Sequence, residues 1–188
     1  MKKIWIILGV IVLVLFMAFG WYKGGYNKAI AKDEEVKSAW AQVDNQLQRR
    51  NDLIPNLIST VKGFASHEKE LFTEVTRLRS QWGKSASVGE KVKNANAMSG
   101  ALSRLLVVAE RYPDLKSNEN FLALQAQLEG TENRIAVERM RYNRSVKDFN
   151  RFQRLFFGRF FASQAGVTEP AVYFEAVESA SKVPEVKF

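Results

Sequence analysis

Apolar positions recur along most of this chain with the period of a helix. The first apolar segment is continuous: "IWIILGVIVLVLFMAFGWY", Ile4 to Tyr22, carries no charge and follows Met1-Lys2-Lys3. At a rise of about 1.5 Å per residue it is long enough to cross a hydrocarbon core of about 30 Å. Trp5 and Trp21-Tyr22 stand at its ends, where amphipathic rings favour the headgroup region. The segment reads as an uncleaved anchor over residues 1–24. The rival reading is a cleaved signal peptide, because Ala18-Phe19-Gly20 fits a small-x-small site. After Gly24-Gly25, a weak point for a helix, the pattern becomes a stripe: Val36, Trp40, Val43, Leu47, then Ile54, Leu57, Val61 and Phe64. Spacings of three and four mark an amphipathic helix. The slot between Leu47 and Ile54 falls on Arg50, so the pattern predicts a charge on the buried seam.

The signals change near Gly63. Ser66 reads as an N-cap, with Glu68 and Glu70 in the first turn of a second helix. Leu71, Val75, Leu78 and Trp82 form its stripe. "WGKSASVG", Trp82 to Gly89, reads as a loop. A third helix is predicted over Glu90 to Tyr112, with Leu102, Leu105, Leu106 and Ala109 on its apolar side, ending before Pro113. A fourth runs from Asn118 to Phe157 through Phe121, Leu124, Leu128, Ile135, Tyr142, Phe149, Phe152 and Phe156. The tail, residues 166–188, holds one short helix near Val172 to Ser179. No segment alternates as a strand would. An unbroken first helix through Trp82 would be about 85 Å long and would set the fourth parallel to it. The continuing phase of the stripe across Ser66 keeps that option open. A turn at Ser66 instead gives the expected all-α fold: a transmembrane helix, then an up-and-down four-helix bundle over 25–165 with two long antiparallel helices.

In that antiparallel pairing Arg50 lies level with Asn133, beside Glu132 and Arg134, and Asp52 lies level with Thr131. Arg50, Asp52, Glu132 and Arg134 are therefore expected to form a buried polar layer, which costs desolvation but fixes register. Pro55, just after it, is expected to kink the first helix. The layer reads as structural; the alternative is a ligand site.

Composition removes several chemistries. The 188 residues include no cysteine, so there is no disulfide, thiolate metal site or thiol nucleophile. His67 is the single histidine. Glu132 and Glu138 stand beside Arg134 and Arg139, where ion pairing explains them better than acid–base work. Phosphate loops, nucleophile elbows and zinc spacings are missing. The reading is no enzyme, no cofactor, no metal and no small-molecule substrate. Net charge is +8, and without Lys2 and Lys3 the chain still has 26 basic against 20 acidic residues. That excess points to an anionic partner. It concentrates from Arg139 to Arg159, with seven basic residues and one acid, Asp148. The antiparallel topology returns this segment to the bilayer. Arg151, Arg154, Phe156, Phe157, Arg159, Phe160 and Phe161 are thus expected as a membrane-surface or partner patch, each basic residue contributing about 1 kcal/mol near anionic lipid. Phe160 and Phe161 are placed beyond the core stripe. The alternative leaves the phenylalanines in the core and the arginines solvated. A nucleic-acid role for the same mix is set aside, since there is an anchor and no binding-fold signature.

The stretches "AWAQVDNQLQRRNDLIPNL", "VKGFASHEKELF", "RYPDLKSNENFLALQAQLEGTENRIAVERMRYN" and "VPEVKF" resemble the LemA family. With the anchor, the resemblance covers nearly the whole chain. It implies a bacterial membrane protein with one transmembrane helix, a helical bundle and no known catalytic activity. One branch of similar proteins serves in magnetosome membrane formation, which points toward scaffolding or remodelling of membrane-associated assemblies. The alternative is a binding module that presents or regulates an envelope protein such as a membrane peptidase, as a homo-oligomer or with that partner. Asn51 and Phe157-Gly158 depart from the family pattern, which usually has a histidine or alanine, and a Phe-Pro step, at those places. Basic residues flanking the span are nearly balanced, with Lys2 and Lys3 closest, so the bundle is expected outside the cytoplasmic membrane.

Overall fold

A computed structural model describes residues 2–175. Among them the chain is helical, with no strand: α1 (Lys2–Lys62), α2 (Lys69–Lys84), α3 (Val88–Ala109), α4 (Pro113–Lys116), α5 (Glu119–Arg154) and α6 (Phe156–Gln164). Helix α1 passes without interruption through Gly24-Gly25 and Pro55. It is the one helix among the described residues long and apolar enough to cross a membrane, and its apolar window is exposed throughout, with a mean hydropathy of 2.7.

The chain turns where α1 ends, but not with the expected cap. The amides of Phe64 and Ala65 donate to the Val61 carbonyl at 3.0 and 2.8 Å, and Glu68 donates to Ala65. Buried Ala65 anchors this turn, Ser66 is exposed, and α2 starts three residues later at Lys69. The Glu68 carboxylate is turned away from the helix end: it accepts from Arg111 Nη2 at 3.1 Å. Helix α2 then continues past Trp82, shortening the expected loop to residues 85–87. Ser87 is the N-cap of α3, its hydroxyl accepting from the Glu90 amide at 3.2 Å while Glu90 Oε2 accepts from the Ala86 amide at 2.9 Å. This reciprocal pair starts the helix before Glu90. Pro113 does more than end α3: it opens the short α4, a position where its missing N–H costs nothing.

Helix α5 stops at Arg154, not Phe157. Leu155 is extended, with φ −75° and ψ 147°, and α6 restarts at Phe156. The corner depends on Gly158, where a Cβ would stand 1.9 Å from the Phe152 carbonyl oxygen. Val172 to Glu175 are not helical, and the rest of the short helix expected near Val172 to Ser179 lies outside the described residues.

The described residues divide into two compact units. Residues 2–40 and 142–171 form the first, with Ala29, Phe152 and Phe161 at its core and Ala165 and Val167 against them. A Cβ on Gly25 would come within 2.2 Å of the Phe161 ring, so the glycine makes room for that ring on α1. Asn150 fastens the following segment, donating to the Ala171 carbonyl and accepting from its amide, both at 2.9 Å. Residues 41–141 and 172–175 belong to the second unit. Its core combines Ile54, Leu57 and Val61 of α1, Phe72, Val75 and Leu78 of α2, Met98, Leu102 and Leu105 of α3, Leu115 of α4, and Phe121 and Leu128 of α5. Helices drawn from five stretches thus bury one continuous apolar interior.

Candidate functional site

Arg50 is the largest fully buried side chain among the described residues, 1% exposed, on the seam of α1. Its Nη1 donates to Ser99 Oγ at 2.7 Å and to Glu132 Oε1 at 2.9 Å, and its Nη2 donates to the Ala95 carbonyl at 3.1 Å. Ala95 and Ser99, four residues apart on α3, are small, and the long arginine fills the space above them. Glu132 is 39% exposed, so the pair is dry at one end and wet at the other. Two expected members of the layer are elsewhere. Asp52 is exposed and accepts from Gln48 Nε2 at 2.7 Å, one turn back on its own helix. Arg134 is exposed too, because it lies two residues beyond Glu132 and faces away on α5. Asn51 and Thr131 are buried in their place.

The proline after this layer leaves its mark on Asn51. A residue at position 55 would normally donate its amide to the carbonyl of residue 51, and Pro55 cannot. Arg79 Nε of α2 donates to that carbonyl at 3.2 Å instead. Pro55 therefore creates an acceptor through which α2 is fastened to α1. The Asn51 side-chain amide, in contrast, is buried with no hydrogen-bond partner among the described residues. Arg139, a little further along α5, stacks its guanidinium 4.2 Å from the ring centre of buried Phe174. Burial lowers its pKa; Glu132 opposes the shift and Arg50 adds to it. It stays charged all the same, as guanidinium does.

The other expected patch divides in two. Phe161 is buried, 3% exposed, and belongs to the core, because α6 turns its Gly158–Phe161–Ala162 face onto α1. The opposite face is open: Phe156, Phe157 and Phe160 are 85%, 57% and 45% exposed, and Leu155 is 54% exposed. Phe156 thus leaves the core stripe that its spacing assigned to it. Trp21 meets Phe157 and Phe161 edge-on at 5.2 and 4.9 Å, and Tyr22 meets Phe160 at 6.5 Å. Arg151, Arg154 and Arg159 are exposed around them. A cleft of about 750 Å³ runs between Trp21, Arg154, Phe156, Phe157, Arg159 and Phe160. The signal for the corner at Leu155 was confined to Phe157-Gly158, where the family usually has a Phe-Pro step, and without the corner the link between Trp21 and the phenylalanines was not visible.

A second groove, about 920 Å³, follows the outer side of α2. Lys62, Lys69, Arg77 and Lys84 line it over a floor that includes Phe72, with Thr73, Thr76 and Ser80 between them and no carboxylate. The Lys62 ammonium stands 5.7 Å from the Phe72 ring centre. Among the described residues no three His, Cys, Asp or Glu side chains gather as a metal site.

Comparisons with known proteins agree on one lineage. The chain is 23% identical over 151 residues to magnetosome protein MamQ 2 of Paramagnetospirillum magneticum, covering 66% of this chain and 56% of that protein. Magnetosome protein MamQ of Magnetospirillum gryphiswaldense is 22% identical over the same shares. Protein LemA of Metamycoplasma hominis is 23% identical over 133 residues, covering 69% of this chain and 59% of its own. The chain therefore spans less than two thirds of the length of these relatives. The LemA family pattern matches residues 39–188, from the stripe of α1 onward, and the chain belongs to the LemA family.

Proposed function

We propose that this LemA-family chain is a non-enzymatic, single-pass membrane protein whose helical domain scaffolds or remodels membrane-associated assemblies. The observation that carries the reading is α1 itself. It runs from an exposed apolar span directly into residues that share a core with α5 and α6. In this reading residues 1–24 are the anchor and residues 25–165 an up-and-down four-helix bundle, with α1 and α5 as its two long antiparallel members. The pair of buried Arg50 with half-exposed Glu132 and the core common to α1, α2, α3 and α5 support that arrangement. The similarity to proteins named as magnetosome proteins supports the assembly role.

The α2 groove favours a second reading, a module that presents or regulates an acidic envelope protein. Four cations with no carboxylate among them offer a complementary surface. One experiment separates the two. The full chain is reconstituted into anionic liposomes, imaged by electron microscopy and crosslinked. A scaffold forms oligomers and changes vesicle shape unaided. Unaltered spherical vesicles holding monomers would sink the scaffold and leave the partner module.

A further inference from the structure

We infer that the cleft at the α5–α6 corner is a binding site for one anionic phospholipid, its phosphodiester held by Arg154 and Arg159 and its acyl chains lying along Trp21, Phe156 and Phe157. The inference rests on the membrane reading proposed above and adds a ligand to it.

Three features of the cleft meet the chemistry of such a lipid. Its charge is of one sign: Arg154, from the last turn of α5, and Arg159, from the second turn of α6, line it without any carboxylate. Neither guanidinium has an ion pair among the described residues, although other exposed arginines of the chain, such as Arg104 and Arg141, are paired within the protein. The planar forks remain available to phosphate oxygens. Its walls are aromatic and unusually open, with Phe156 85% and Phe157 57% exposed. Water is a poor neighbour for such a surface, and a free inorganic anion leaves it uncovered. A lipid covers both parts, because its charged and apolar ends are joined at the glycerol.

Depth is the third feature. Trp21 ends the apolar run of α1, where an indole takes the headgroup level, and its ring packs edge-on against Phe157 at 5.2 Å. The cleft is therefore level with the phosphates of one leaflet, with the phenylalanines beside the first methylenes. Its corner is held in shape from within, by Phe161 seated against Gly25 and by Gly158 against the Phe152 carbonyl. The volume, about 750 Å³, is that of a small-molecule site and takes a headgroup with the upper chains.

The test uses Trp21 as the reporter. The full chain with Trp5→Phe, Trp40→Phe and Trp82→Phe is placed in nanodiscs of phosphatidylcholine and phosphatidylglycerol at fixed ratio, with bromine on the chains of either lipid in turn. Brominated phosphatidylglycerol is expected to quench Trp21 several-fold more per mole fraction than brominated phosphatidylcholine. Arg154→Gln with Arg159→Gln should remove that preference while circular dichroism stays unchanged. Lipid release from the unsubstituted chain, followed by mass spectrometry, gives the same comparison without the tryptophan changes. Equal quenching by the two lipids overturns the site, as does a preference that survives both glutamines. Loss of the preference in millimolar inorganic phosphate would assign the arginines to a free anion instead. Absence of quenching by either lipid would place Trp21 outside the bilayer and overturn the membrane reading itself.

Discussion

Arg50 shows how one residue can be located by periodicity while its partners stay hidden. Counting turns along the stripe from Val36 put it on the seam, and it is 1% exposed. Glu132 was within reach of the same counting, because two long helices with matched ends allow few registers. Ser99 and the Ala95 carbonyl were not, since small residues on a third helix leave no periodic mark. Arg79 was hidden for another reason: its acceptor exists only because Pro55 withholds a donor. Glu132→Ala should cost about 2 kcal/mol in chemical denaturation, the worth of a hydrogen bond to a charged group. The loss stays below that of a fully buried pair because Arg50 keeps Ser99 and Ala95, and water reaches the vacated end. Asn51→Leu should act in the other direction. It replaces a buried amide without a protein partner by an apolar group of the same heavy-atom count and branching, and a rise of about 1 kcal/mol is expected from the same measurement. A fall of that size would mean the Asn51 amide is satisfied in solution.

Helices were legible as elements and less so at their ends. Stripes reveal where a helix faces the core, but ends are decided by single bonds. Ser66 and Ser87 illustrate this, since both are serines two or three residues ahead of a glutamate. Only Ser87 caps, because Glu90 is free to answer its hydroxyl, while Glu68 is engaged by Arg111. Ser87→Ala should therefore cost about 1 kcal/mol, and Ser87→Gly only a few tenths. Thermal melts of the three proteins would check that order, and Ser66→Ala supplies the control with no change. The corner at Leu155 carries a sharper demand. Gly158→Ala sets a methyl group against the Phe152 carbonyl, which the backbone must move to accept. A loss of about 3 kcal/mol follows from such overpacking. Trp21 emission should shift with it, since Phe157 and Phe161 would leave the indole. The phenylalanine run gave little warning of this corner, because six aromatic rings in thirteen residues read equally well as one continuous core face.

Charge and hydropathy over the whole chain were easy to read, and they pointed to a helical chain with one helix long and apolar enough to cross a membrane. Direction across the bilayer is written far more faintly, in a few lysines on either side of the span. With Lys2 and Lys3 retained in the cytoplasm, externally added protease on intact spheroplasts should digest the domain and spare it only in sealed inverted vesicles. Protection in spheroplasts would reverse the orientation. The unbroken helix between Tyr22 and Ala29 has a consequence for how such a protein meets its ligands. A domain on a flexible tether of twenty residues sweeps a hemisphere some 25 Å in radius. Here the residues after the span are already helix, and Phe161 clamps α6 to that helix at Gly25. In the membrane-anchored reading proposed above, the α6 surface is thus denied the third dimension: it would encounter lipids and neighbouring copies by lateral diffusion alone. Occupancy would follow the number of molecules per unit area of membrane rather than their concentration in the surrounding water.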